Sequence, residues 1–150
     1  MSEVIQDKIE PESPKVIDLK KQYDVIIVGA GAAGVGVAIA LTHVGVNNYL
    51  IVDRDSVGSS FADWPEETRF ITPSFPSNSI GLLDLNSIAI GVSPAYTMRV
   101  EHPTGNDFAE HLRSLSDYFE LPVLENTNIT GIEKKGDIFS VKTESTDLKC

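Results

Sequence analysis

The chain has 150 residues, 41% hydrophobic and 23% charged, a composition that suits one globular domain with a buried core. Its 22 acidic and 12 basic side chains are interspersed and give a net charge of -10. That balance leaves no basic face for the phosphates of nucleic acid or an anionic membrane, so neither is expected as a partner. Cys150 is the only cysteine, which excludes an internal disulfide and a cysteine-based zinc site and fits a reducing compartment.

Residues 1–20 are polar, with Pro11 and Pro14, and read as a flexible N-terminal arm. They hold no apolar core of signal-peptide length, and no run approaches the roughly 20 apolar residues of a membrane span. A cytoplasmic location is expected. Tyr23 to Val28 carries four consecutive aliphatic residues before Gly29, the pattern of a central parallel strand covered on both faces. Val35 to Val44 reads as a buried helix packed on a sheet, with Gly45 as its stop. Asn47-Asn48 turns the chain into a second strand, Tyr49 to Asp53. Strand, helix and strand within about 30 residues make a βαβ unit.

From Asp55 to Gly105 the periodicity dissolves among five prolines and many Ser and Asn, a length of irregular chain that suits wrapping a ligand. Order returns with Thr104 to Phe119, where Phe108, Leu112, Leu115 and Phe119 mark one face of an amphipathic helix. Leu121 to Leu124 reads as a short strand. Asn128 to Glu133 and Ile138 to Thr143 flank Lys134-Lys135-Gly136-Asp137 as a β-hairpin with a polar tip.

The segment Gly29-Ala30-Gly31-Ala32-Ala33-Gly34 places a GxGxxG between the first strand and the first helix. Gly29 permits the tight turn, Gly31 lets a pyrophosphate approach the backbone, and Gly34 lets the helix lie against the sheet. The helix N-terminus then offers free N–H groups to the phosphates. Asp53 ends the second strand 19 residues after Gly34, where a carboxylate accepts hydrogen bonds from ribose hydroxyls. It disfavours a 2′-phosphate at the same place, an exclusion that neighbouring Arg54 weakens. A dinucleotide-binding unit is the expected reading, and this turn and acid serve NAD and FAD alike.

The remainder of the chain, from VIIVGAGAAGVGVAIAL through IVDRDSVGSSFADWP and EHPTG to the hairpin, resembles the two-dinucleotide-fold flavoproteins, in particular the flavin-containing monooxygenase-like oxidoreductases. The resemblance implies an α/β, Rossmann-type three-layer FAD/NAD(P)-binding fold, with residues 21–150 as its FAD-binding N-terminal portion. The β-hairpin or meander falls near the C-terminal end. An NADPH domain is expected beyond residue 150. It further implies that FAD lies along Gly29 to Gly34 and Asp53, with Arg54 beside it. Gly58, Ser59, Ser60 and Phe61 stand where the family has a Gly-Gly-Thr-Trp-like segment over the pyrophosphate and flavin, here with Ser for the second Gly and Phe for the Trp. Ile129 and Thr130 match the position of an adenine contact through the backbone. The implied function is flavin-dependent NAD(P)H oxidoreduction on a small-molecule substrate. Two alternatives stay open, a flavin-free NAD-binding dehydrogenase or sensor domain and a truncated, non-catalytic dinucleotide-binding fragment.

The glutathione-reductase type is excluded, because it needs a cysteine pair where this chain has Phe61-Ala62-Asp63-Trp64-Pro65; the thioredoxin-reductase type is not. Trp64 fits either stacking on the flavin or a loop-on-core contact. Thr72, Ser74 and Asn78 fall where the resembling enzymes place polar groups near the flavin, although a Ser- and Asn-rich loop uses such residues for turns. His43 suits a helix C-terminus, and neither His102 nor His111 belongs to a metal-ligand spacing. Asn128-Ile129-Thr130 matches a glycosylation sequon that has no secretory route to serve it.

Overall fold

The structure, a computed structural model, describes residues 17–75 and 84–150. The described chain begins in a turn, with the Lys21 N–H donating to the Asp18 carbonyl and Ile17 packed on a core cluster. A parallel sheet follows, formed by β1 (Val25–Val28), β2 (Tyr49–Val52) and β3 (Val123–Leu124) in the order β1-β2-β3. Val25 pairs with Tyr49 and Ile51 with Val123, so β2 lies in the middle.

The alternation of β2 explains the layers. Tyr49 and Ile51 face a cluster with Val35, Ile39, Phe108, Leu112 and Leu115, contributed by helices α1 (Ala32–His43) and α4 (Gly105–Tyr118). Leu50 and Val52 face the opposite way, onto Val141 and Leu148. Those two belong to an antiparallel meander of β4 (Ile129–Lys135), β5 (Ile138–Thr143) and β6 (Asp147–Lys149). Helices, parallel sheet and meander form the three-layer α/β architecture that the family resemblance implies. All four β2 side chains are buried because each face meets a different core.

Among the described residues β1 pairs with β2, and Val28 at its end is 57% exposed. One reading needs correction. The first helix starts at Ala32, three residues before the expected start at Val35, because Ala32 and Ala33 favour the helix and Gly34 is accommodated by packing. It is buried on one side only, through Gly34, Val35, Ala38 and Ile39, while Val37 is exposed. Gly45, at φ +81°, follows the helix end as expected.

Among its described residues, the irregular stretch contains two short helical turns, α2 (Ser59–Ala62) and α3 (Pro94–Met98). Glycines seat α2 on α4. A Cβ on Gly105 would meet the Phe61 carbonyl oxygen at 2.1 Å, and one on Gly58 would meet the Ala109 Cα at 2.9 Å. Helix α4 opens with a capping box, in which Thr104 Oγ1 accepts from the Asp107 N–H at 3.1 Å and Asp107 Oδ2 accepts from the Thr104 N–H at 2.9 Å. The hairpin turns at Gly136, which has φ +64°. No described helix is long and apolar enough to cross a membrane.

Candidate functional site

A cleft of about 370 Å³ opens at the C-terminal ends of β1 and β2, the edge where parallel α/β sheets bind ligands. Its floor is Val28, Gly29, Gly31 and Val52. Asp53, Arg54 and Asp55 form one wall, Ser59 and Ser60 another, and Thr127, Asn128 and Ile129 a third.

The glycine turn has the shape its sequence calls for. Gly29 adopts φ +101°, a conformation L side chains rarely take, and its N–H donates to the Val52 carbonyl at 2.8 Å. A Cβ on Gly34 would lie 1.9 Å from the Gly29 carbonyl oxygen, so the helix can approach the turn only without a side chain there. At Gly31 the nearest neighbour of an added Cβ would be Ser60 Oγ at 3.8 Å, which leaves the backbone open towards the cleft. Gly31 is also the N-cap of α1, with no side-chain cap and no acid in the first turn. The first-turn N–H groups therefore remain without helical partners, the condition for binding an anion.

Asp53 stands opposite this turn. Its Oδ2 accepts the Ala30 N–H at 2.6 Å and its Oδ1 the Asp55 N–H at 2.8 Å. Each oxygen keeps acceptor capacity for a hydroxyl donor. Its backbone is tied to the far wall, with its N–H donating to the Leu124 carbonyl and its carbonyl accepting the Thr127 N–H. Arg54 points to the rim, its Nε 3.1 Å from Asp55 Oδ2 in a largely exposed ion pair.

Of the residues singled out in the sequence, Gly29, Gly31, Asp53, Arg54, Ser59, Ser60 and Ile129 line one cleft. Ala30 is fully buried and bonds Asp53 through its N–H; Gly34 is buried behind the turn, and Ala32 and Ala33 open the helix. Phe61 does not line the cleft. Its ring joins Trp64, Phe70 and Phe108 at centroid distances of 5.3, 5.9 and 4.9 Å, an aromatic cluster between α2 and α4. Trp64 lies in the same cluster, the loop-on-core contact. Ser74 is buried, and its Oγ and the Thr72 carbonyl both accept from Asn86 Nδ2 at 2.8 Å, so both serve loop structure. Asn78 lies outside the described residues. Sequence reasoning missed Asp55, Thr127 and Asn128 as lining residues; their adjacency to Asp53 and Ile129 was the available signal.

The histidines are accounted for structurally. His43 Nδ1 bonds the Ile39 carbonyl and His102 Nδ1 the Phe70 carbonyl. His111 is buried on α4, with Nδ1 3.0 Å from Thr97 Oγ1 and Nε2 lacking a partner among the described residues. Burial pushes its pKa down, with Asp84 opposing the shift. Among the described residues no group of His, Cys, Asp and Glu is placed to hold a metal ion.

The FAD-dependent urate hydroxylase of Xanthomonas campestris is 31% identical over 135 residues, which cover 80% of this chain and 27% of that protein. Among solved structures, the bacillithiol disulfide reductase of Staphylococcus aureus superposes with a TM-score of 0.71 at 19% identity, over 87% of this chain and 36% of that one. The flavin-containing monooxygenase of Stenotrophomonas maltophilia gives 0.66 at 17% identity, over 85% and 36%. The chain thus spans about a third or less of the length of the curated relatives it matches. Residues 26–150 match the model of one family of oxidoreductases, and on that match the chain belongs to the pyridine nucleotide-disulphide oxidoreductase family.

Proposed function

We propose that residues 21–150 are the FAD-binding portion of a flavin-dependent NAD(P)H oxidoreductase of monooxygenase-like type. The observation that carries this reading is the convergence of the Gly29–Gly34 turn, the Asp53 carboxylate and the 127–129 segment on one cleft. The open N–H groups at the start of α1 would hold the pyrophosphate, and Gly31 gives it room. Asp53 would anchor the adenosine ribose, and Thr127, Asn128 and Ile129 would flank the adenine. Arg54, beside Asp53, would meet the adenosine end at the rim. When bound, FAD supplies the electron-transfer chemistry. This chain's own residues bind it and orient it.

The named relatives support flavin over a flavin-free NAD domain, since the urate hydroxylase is described as FAD-dependent. NADPH as reductant, bound outside these residues, a small-molecule substrate and a cytoplasmic location complete the reading. The loop after Asp53 contributes no cysteine, so a dithiol next to the flavin does not come from this stretch.

The test is retention of cofactor. The purified chain is mixed with FAD, passed through a desalting column and examined by visible absorption, with NAD titrated in parallel by calorimetry. Yellow protein carrying stoichiometric flavin supports the reading. A chain that binds NAD reversibly and takes up no FAD overturns it in favour of a nicotinamide domain.

A further inference from the structure

Between the end of β2 and the start of α2 the chain must bring Ser59 and Ser60 opposite the glycine turn. The Val57 peptide is the hinge point of that path, buried and held from two sides. Its N–H donates to Glu125 Oε1 at 2.8 Å, across 68 residues of sequence. Its carbonyl accepts from Arg113 Nε at 3.2 Å, from a residue on α4. The next residue, Gly58, has φ +75°, and its N–H donates to the Ala30 carbonyl at 3.0 Å, inside the glycine turn itself.

Glu125 has a second link to the same loop through its neighbour, because the Asn126 N–H donates to the Asp55 carbonyl at 2.8 Å. The connection after β3 is therefore laced to the segment after β2 along its length. Among the described residues, the Glu125 tie is the one made by a side chain between these two connections, and it acts at the residue before Gly58. Neither Glu125 nor Arg113 lines the cleft.

We propose that Glu125 is a positioning residue for the dinucleotide cleft. Its carboxylate holds the Val57 N–H and so fixes the gap between the Ser59–Ser60 wall and the Gly29–Gly34 turn. The proposal rests on the dinucleotide reading of that cleft. With the acceptor gone, Val57 is anchored only at its carbonyl, the wall carrying Ser59 and Ser60 gains freedom, and binding must then supply the ordering of that wall.

What matters in this account is the reach of an acceptor oxygen and not its charge. Glu125→Gln retains an oxygen at the same reach, whereas Glu125→Asp keeps the charge and falls one methylene short. The experiment measures FAD affinity of the full chain by calorimetry, with the melting temperature of the ligand-free protein and amide hydrogen exchange at Val57 and Ser59–Ser60. Glu125→Ala and Glu125→Asp should bind FAD about tenfold more weakly, with faster exchange concentrated at those amides and a melting temperature lowered by only a few degrees. Glu125→Gln should stay within about twofold of the parent.

Parental affinity in Glu125→Asp or Glu125→Ala overturns the proposal and leaves the dinucleotide reading standing. An equal loss in Glu125→Gln also overturns it, by showing that charge is what counts. Binding of neither FAD nor NAD by the unmutated chain defeats the dinucleotide reading itself, and this proposal with it, before any variant is made.

Discussion

Asp53 reaches across the end of the parallel sheet to the Ala30 backbone, its Oδ2 accepting that N–H at 2.6 Å. The acid expected to meet ribose thus already braces the glycine turn. One carboxylate closes the βαβ unit and presents an acceptor edge to the cleft.

Replacement of Asp53 therefore has two effects. Asp53→Ala leaves the Ala30 and Asp55 N–H groups without their acceptor and should cost about 2 kcal/mol of stability. FAD affinity should fall about tenfold or more. Urea unfolding and calorimetry on the same preparation separate the two, and unchanged affinity would remove Asp53 from the binding role.

Gly34→Ala should be among the most damaging single-methyl changes in the chain. Its Cβ would sit 1.9 Å from the Gly29 carbonyl oxygen, against backbone that cannot swing aside. Separation of helix and turn should cost at least about 2 kcal/mol, read as a lower urea midpoint or a loss of soluble protein. Gly31→Ala meets only Ser60 Oγ at 3.8 Å, so it should fold normally and weaken FAD binding by obstructing the phosphate path.

The capping box of α4 predicts an acid dependence. Hydrogen bonds from the Thr104 hydroxyl and then the Thr104 backbone N–H hold the Asp107 carboxyl below its ordinary value of 3.8. Because the folded state holds the proton less tightly, this contribution is fully present above about pH 4 and is lost as pH falls through the lowered value. Thr104→Ala should cost about 1 kcal/mol at neutral pH and reduce that acid dependence, as measured by urea unfolding between pH 6 and 3.

His111 predicts a second dependence at higher pH. Its pKa is lowered from 6.5, chiefly by burial. The unfolded chain binds the proton more tightly, so stability is full above about pH 6.5 and declines as pH falls towards the lowered folded value. The charged ring would need a partner for the unpaired Nε2. His111→Leu should flatten the stability profile between pH 7.5 and 5.5. Persistence of the slope in that variant would assign it to another group.

How much was legible in the sequence follows from how local each feature is. The first strand, the glycine turn, the helix after it and Asp53 depend on neighbours within about 30 residues, and each residue type there has a separate steric task. The meander was legible through Lys134-Lys135-Gly136-Asp137, where Gly136 takes the left-handed turn. The pairing of β2 with β3 was not, because a strand's partners are set by chain far away in sequence. The packing of the Phe61 ring on Phe70 and Phe108 was not legible either, since no local pattern joins them. Glu125 was missed for the same reason, since its bond to Val57 spans 68 residues.

The two faces of β2 carry one more consequence. Tyr49 and Ile51 belong to the helical core, Leu50 and Val52 to the core beneath the meander, and all four sit in a single strand. Neither core can come apart while that strand stays in register, and neither survives its departure. Heat or denaturant should therefore act on the helices and the meander together, in one cooperative transition seen alike by Trp64 fluorescence from the helical side and by circular dichroism from the whole. The cleft at the end of β2 takes its rigidity from that shared fate: its walls hang from the last part of the molecule able to move by itself.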